Sequence, residues 1–170
     1  LALFRDLGNL FGQAYALNDL GVVQQETGDY PAAADSHQQA LTLFTELGNR
    51  LGQAEALNRL GELATRTANT AQARQRHTQA LAIARVLGAA PEEARALEGI
   101  AQALLHDGNP GQAAAHLQQA LTIYQRIGAP AARRVQQTFQ DHQLTSAIPP
   151  PQPAGPNSQG HQASGGPRTR

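Results

Sequence analysis

The sequence contains no cysteine, methionine, tryptophan or lysine, and only 4% of its 170 residues are aromatic. Without cysteine there is neither a disulfide nor thiolate chemistry, so the redox state of its compartment cannot be inferred. Without lysine, the glycine–lysine phosphate loop of nucleotide-binding proteins is excluded. No apolar run is long enough to predict a transmembrane helix, and we expect a cytoplasmic protein.

Neither sign of charge is in excess. Thirteen basic residues, all of them arginine, balance thirteen acidic residues and give a formal net charge of +0. Because phosphate backbones and anionic membranes attract clustered positive charge, we expect neither a nucleic-acid nor a membrane partner. A weaker alternative is nucleic-acid binding through six arginines, which are Arg59, Arg66, Arg74, Arg76, Arg85 and Arg95.

What the sequence does have is a repeat with a period of 40 residues. Residues 9–48 align with 49–88 without a gap and with 17 identities in 40 positions. The same phase is marked by Leu7-Gly8, Leu47-Gly48, Leu87-Gly88 and Ile127-Gly128. A fixed period of this length predicts a solenoid in which each unit buries its apolar face against the next. We therefore divide the chain into repeats 9–48, 49–88 and 89–128.

Each repeat is predicted to be a pair of antiparallel helices, and the fold class is therefore all-α. Apolar residues recur at three- and four-residue steps before Gly28 and again after it, which indicates two amphipathic helices. Asn9 and Asp29 are suited to cap the helix starts, and Gly28 to end the first helix. In the second repeat, Asn49 is the equivalent cap and Ala68-Asn69 forms the turn.

The pattern resembles that of the tetratricopeptide repeat family. Leu17, Leu20 and Gly21 are followed by Gly28-Asp29-Tyr30 and then by Ala33 and Ala40, and most of these positions recur in the next repeat. The period resembles the longer-helix subgroup that includes the kinesin light chains, in which the run from Gly8 to Gly21 also recurs. The resemblance implies a right-handed superhelical α-solenoid that acts as a protein-binding scaffold.

A narrower resemblance concerns the alanine- and arginine-rich composition of the repeats. It is similar to the carboxy-terminal part of large bacterial regulators that carry an NB-ARC-type ATPase, often with a DNA-binding domain. This resemblance implies transcriptional or signalling control. It leaves open an alternative in which the repeats regulate or oligomerise an upstream domain of the same protein.

In the tetratricopeptide family, the first helix of each repeat lines the concave surface. Transfer of that phase to this chain predicts a set of positions that contact a protein or peptide segment, either of another protein or of the same one. These positions are Tyr15, Asn18, Val22, Gln25, Glu55, Asn58, Glu62, Arg66, Arg95, Glu98 and Gln102.

Asn18 and Asn58 are the most informative of these positions, and two interpretations remain open. An amide both donates and accepts, so it suits the backbone of an extended peptide. Alternatively, both side chains bond to neighbouring helices, since a buried amide needs partners in either case. The third repeat has Glu98 at this position, which cannot donate as an amide does.

Histidines are the only candidates for chemistry. His37 and His77 lie 40 residues apart on the stripe of the second helix. Stacked helices are separated by roughly 8–10 Å, whereas zinc requires histidine nitrogens at about 2.1 Å. We interpret both as half-buried packing residues. No nucleophile follows a predicted strand, and we expect no catalytic, metal or cofactor site in a protein that is not an enzyme.

The two ends of the chain depart from the repeat. Residues 1–8 match 41–48 at five of eight positions and are predicted to end a preceding repeat. Self-association is an open possibility through their apolar side chains, which are Leu1, Leu3, Phe4 and Leu7. Residues 129–145 are predicted to form a capping helix over 131–144, and 146–170 a disordered tail rich in Pro, Gly, Ser and Gln.

Overall fold

A computed structural model describes residues 9–144 of the chain. This part is built from α-helices joined by short turns and contains no strand, which confirms the predicted all-α class. In chain order the helices are α1 (Leu10–Glu26), α2 (Tyr30–Glu46), α3 (Arg50–Arg66), α4 (Thr70–Leu87), α5 (Ala90–His106), α6 (Pro110–Arg126) and α7 (Ala131–Asp141). We call α1, α3 and α5 the first helices and α2, α4 and α6 the second helices of the repeats.

Polar side chains fix where the first four helices begin. Asn9 Oδ1 accepts a hydrogen bond from the backbone N–H of Gly12 at 2.7 Å. The predicted caps Asp29 and Asn49 likewise accept from the backbone N–H of Ala32 at 3.2 Å and of Gly52 at 3.1 Å. Since each bond satisfies one of the free N–H groups of a first turn, the sequence determines these starts locally.

The turn after a helix needs a left-handed residue, and the chain supplies one each time. Gly28 has φ +85° and Gly108 has φ +73°. Ala68 occupies the corresponding position between α3 and α4 with φ +58°, although a side chain is disfavoured in that region. The turn predicted at Ala68-Asn69 is therefore formed without glycine, at the cost of a less favourable backbone.

Small residues allow the helices to approach one another closely. The repeated alanines of the second helices are all 0% exposed; they are Ala33, Ala40, Ala73, Ala80, Ala113 and Ala120. Sequential helices pack as antiparallel pairs, and α1 also packs on α3 and α3 on α5. The first helices therefore lie side by side and present one common face, which we call the first-helix face.

The last helix is shorter than predicted. It ends at Asp141, whereas the apolar spacing predicted a helix over 131–144. Gln143 adopts φ +50°, and the N–H of Leu144 donates to the carbonyl of Phe139 at 2.9 Å. This closure turns Leu144 back against the core, so the apolar residue is used in a terminating turn and not in a further helical turn.

Two predictions lie outside the described residues. They concern 1–8, with the proposed self-association, and the tail 146–170. Within 9–144, none of the helices combines the length and apolar character needed to span a bilayer. The same residues bring together no group of three or more potential metal-binding side chains.

Candidate functional site

Beneath the first-helix face lies a buried pair of polar side chains that occurs twice. Asn18 Oδ1 is 2.9 Å from His37 Nδ1, and Asn58 Oδ1 is 3.0 Å from His77 Nδ1. Each pair joins the first helix of a repeat to the second helix of the same repeat. Both histidines are 0% exposed. They are therefore fully buried, whereas the sequence led us to expect half-buried rings.

Glycine on the first helices makes room for these imidazoles. A methyl group added at Gly21 would overlap the ring of His37. The ring of His77 is enclosed on two sides, since a methyl group at either Gly61 or Gly99 would overlap it. The glycines are therefore required by the close approach of each ring to a helix backbone, and His77 packs between the neighbouring first helices α3 and α5.

Burial keeps both histidines neutral. It lowers the pKa of His37 to about 4, and the nearby charge of Arg59 acts in the same direction. The pKa of His77 is also lowered to about 4, first by burial and then by the charge of Arg95. A neutral imidazole can donate from Nδ1 to an amide oxygen, which matches the geometry of both pairs.

The amide of Asn58 is further engaged by the next repeat. Its Nδ2 donates to the backbone carbonyl of Glu92 at 3.1 Å and to the Glu92 carboxylate at 2.7 Å. Asn58 is 0% exposed. Bonding between neighbouring helices, the second of the two interpretations for this position, thus describes what the amide does in the structure.

In the third repeat, the same positions hold Glu98 and Leu117 in place of an asparagine and a histidine. Glu98 accepts two hydrogen bonds from Arg134 on α7, at 2.7 Å and 2.8 Å, and one from the hydroxyl of Tyr124 at 3.0 Å. Burial and the adjacent carboxylate raise the pKa of Tyr124. Glu98 therefore connects α7 to the last repeat, and Leu117, which is fully buried, stands at the position equivalent to His77.

A groove with a volume of about 370 Å³ opens on the first-helix face. We call it the first-helix groove. Its walls come from α1, α3, α5 and α7, and it is lined by Gln25, Arg59, Glu62, Thr65, Arg66, Arg95, Glu98, Gly99, Gln102 and Arg134. Six of the predicted positions are among these residues, which are Gln25, Glu62, Arg66, Arg95, Glu98 and Gln102.

Ion pairs connect the walls of the groove. Glu62 contacts Arg59 on its own helix at 3.2 Å and Arg95 on α5 at 3.3 Å. Arg66 bridges from α3 to Glu26 on α1 at 3.0 Å. The groove is therefore rich in guanidinium donors, and each first helix is tied to the next by charge as well as by packing.

Gln25 differs from the other lining residues. Its side chain is almost fully buried, with 6% exposure. Within residues 9–144, its Oε1 atom has no hydrogen-bond partner. A buried amide oxygen without a donor is uncommon, because leaving it unpaired costs about 1–3 kcal/mol. Gln25 lines the α1 end of the groove.

The remaining predicted positions do not line the groove. Tyr15 packs edge-on against Phe44, with ring centroids 4.9 Å apart, and its hydroxyl accepts from Asn49 at 3.2 Å. Val22 and Glu55 are half-buried on α1 and α3. Burial, followed by the charge of Glu92, raises the pKa of Glu55.

Thr65 shares the predicted phase of Gln25 on the next first helix, and three lining residues were not predicted, namely Arg59, Gly99 and Arg134. Arg59 lies one helical turn before Glu62, a spacing that brings opposite charges together on a helix, and this signal was available in the sequence. Arg134 was interpreted only as part of a polar cap. Its pairing with Glu98 depends on where α7 docks, which the repeat period does not describe.

The six arginines of the nucleic-acid alternative are divided between two kinds of helix. Arg59, Arg66 and Arg95 belong to the first helices and line the groove. Arg74, Arg76 and Arg85 belong to α4, where Arg74 pairs with Asp107 at 3.5 Å and Arg85 with Glu93 at 3.1 Å. The six arginines therefore do not lie together on one helix face that could form a single basic surface.

The described residues thus form an α-solenoid with a groove on its first-helix face. In a comparison with known protein families, the tetratricopeptide repeat family matches residues 12–86 and, overlapping these, residues 52–126. The chain belongs to the tetratricopeptide repeat family. No curated protein gives a significant match to it.

Proposed function

We propose that this chain is a non-catalytic interaction scaffold whose first-helix groove binds an extended segment of a partner protein. Tetratricopeptide repeats generally mediate protein–protein binding, and the family match covers most of α1 and all of α3 and α5, three of the four helices that form the groove. The observation that carries the proposal is Gln25 Oε1, a buried acceptor at the groove that lacks a donor within the described residues. An extended backbone offers regularly spaced N–H donors of the kind this atom requires.

The chemistry of the groove lining supports a peptide ligand. The lining combines guanidinium groups, carboxylates and amides that can bond to a polar backbone. The resemblance to regulator repeats keeps a segment of the same larger protein among the candidates for the occupant. Either origin uses the same groove and the same backbone contacts.

The test begins with selection of binding peptides from a randomised display library by residues 1–170, followed by affinity measurement on synthetic copies. Thr65→Trp places an indole in the groove, since Thr65 is one of the lining residues. Thr122→Trp on α6 is the matched control, because both hydroxyls bond the carbonyl four residues earlier, at 3.1 Å and 2.9 Å. We expect Thr65→Trp to weaken binding by roughly tenfold or more through steric exclusion.

Thr122→Trp should change the affinity by less than about twofold, as an exposed substitution away from the groove. A failure to select any peptide, or equal weakening by both variants, would show that this groove is not the binding site. Circular dichroism and thermal unfolding of each variant establish that the helices remain folded.

A further inference from the structure

The α1 end of the groove contains an acceptor and a cation on adjacent helices. Gln25 Oε1 has no donor among residues 9–144. Glu26, the next residue on α1, contacts Nη2 of Arg66 on α3 at 3.0 Å. The ion pair therefore brings the Arg66 guanidinium to the same turn of α1 that carries the unpaired amide oxygen.

The Arg66–Glu26 pair is exposed and hence exchangeable. The side chains of Arg66 and Glu26 are 46% and 63% exposed. Exposed ion pairs add little stability, because water and salt screen them and two long side chains must be held in place. A ligand carboxylate can replace Glu26 on Arg66 at small cost, and the planar guanidinium offers five N–H groups.

The opposite end of the groove behaves differently. Arg134 holds Glu98 through two short hydrogen bonds, and the Glu98 side chain is only 5% exposed. Displacement of Arg134 would leave a buried carboxylate without its cation, which is strongly unfavourable. Arg134 is therefore committed to the structure, while Arg66 remains free to exchange its partner.

The lining as a whole favours an anionic ligand. It contains four guanidinium groups, from Arg59, Arg66, Arg95 and Arg134, against the carboxylates of Glu62 and Glu98. Two further carboxylates pair with these arginines from outside the lining, Glu26 with Arg66 and Glu92 with Arg95. Glu92 and Glu98 are buried, whereas all four guanidinium groups are partly exposed, so a ligand meets more N–H donors than carboxylate oxygens in the groove.

From these observations we infer that the groove selects an acidic polypeptide segment. An Asp or Glu carboxylate of this segment binds Arg66 in exchange for Glu26, and a backbone N–H nearby donates to Oε1 of Gln25. The inference rests on the proposed function and adds the chemistry of the partner. Residues 145–170 contain no Asp or Glu, so the chain's own carboxy-terminal segment lacks the side chains that this site selects.

The test uses the peptides that residues 1–170 select from the randomised library at about 150 mM salt, where long-range attraction is screened. We expect the selected pool to be enriched in Asp and Glu over the starting library. For a synthetic selected peptide, Arg66→Gln should weaken binding roughly tenfold by removing a charge-assisted contact. Gln25→Met keeps the length of the side chain without the acceptor, and should weaken binding roughly fivefold.

Two further variants separate a binding role from a structural one. Glu26→Gln removes the competing carboxylate and should strengthen binding roughly threefold, a gain that damage to the fold would not produce. Arg74→Gln is the matched control on α4, where Arg74 pairs with Asp107 outside the groove. It should alter the affinity by less than about twofold.

The outcomes distinguish this inference from the proposed function. Selected peptides that lose binding with Thr65→Trp but show no enrichment in Asp and Glu would overturn the acidic ligand and leave the groove as the peptide site. Enrichment in Arg or Lys, or equal effects of Arg66→Gln and Arg74→Gln, would also overturn it. The absence of any peptide sensitive to Thr65→Trp would instead overturn the proposed function.

Discussion

Asn58 Oδ1 lies 3.0 Å from Nδ1 of His77, and both side chains are fully buried between α3 and α4. The same contact joins Asn18 to His37 one repeat earlier, at 2.9 Å. These pairs place neutral polar groups in the core below the groove. Because the buried histidines have lowered pKa values, the stability of the solenoid should depend on pH. Their rings also require glycine where they lie against the first helices.

The two histidines should make the protein sensitive to acid. Their pKa values are lowered from 6.5 to about 4, so between these pH values the unfolded chain binds protons that the folded chain does not. The free energy of unfolding therefore falls as pH falls from 6.5 towards 4, with a slope approaching about 1.4 kcal/mol per pH unit for each histidine. Urea unfolding at a series of pH values measures this slope.

His77→Leu reproduces the residue that the third repeat carries as Leu117. The variant loses the bond to Asn58 and is expected to be less stable at neutral pH, but its pH slope should be reduced because one titrating group is absent. An unchanged slope would mean that His77 is not the buried neutral base described above.

Glycine at position 61 is required by the imidazole that lies against it. Gly61→Ala would push a methyl group into the ring of His77 and should lower the free energy of unfolding by about 1–3 kcal/mol. Gly111→Ala is the control, since the space around that glycine is open, and it should be neutral or stabilise by up to about 1 kcal/mol. Equal effects of the two substitutions on urea unfolding would argue against the ring contact.

The left-handed turn at Ala68 offers a stabilising substitution. Ala68→Gly removes the steric penalty of φ +58° and should raise the free energy of unfolding by about 0.5–1 kcal/mol after the greater flexibility of the unfolded chain is counted. The reverse change, Gly28→Ala at φ +85°, should destabilise. If thermal unfolding showed Ala68→Gly to be the less stable protein, the strain at this turn would be refuted.

Arg134 should determine how firmly α7 is attached. Arg134→Ala leaves the buried carboxylate of Glu98 with the Tyr124 hydroxyl alone, and we expect a loss of about 1–3 kcal/mol. Arg133→Ala, at an exposed neighbouring position, should have an effect within about 0.5 kcal/mol. Hydrogen exchange over 131–141 provides the local readout. Similar exchange in both variants would contradict the role given to Arg134.

The sequence predicted those features that depend on local chemistry. Asn9, Asp29 and Asn49 cap helices because each side chain reaches only three residues ahead, a contact that the order of residues determines. The period of 40 residues then placed Glu62 and Gln102 at equivalent positions of successive first helices, and both line the groove. A regular solenoid makes such a transfer reliable because each repeat contacts its neighbours in the same way.

The sequence did not predict contacts that depend on side-chain direction across helices. Asn58 was placed on the correct helix, but whether its amide faced a ligand or His77 depends on the rotation of both helices. The partner of Glu98 lies on α7, beyond the last repeat, where the period gives no guide. The unpaired oxygen of Gln25 is likewise visible only once every neighbouring donor has been placed.

The most direct measurement is amide chemical-shift mapping of isotope-labelled residues 1–170 during titration with a selected peptide. We expect the largest shifts on the lining residues of the first helices, with the side-chain amide of Gln25 and the backbone of Thr65 and Gln102 among them. Shifts concentrated on the second helices α2, α4 and α6, with the groove unaffected, would contradict the proposal that the first-helix groove is the binding site.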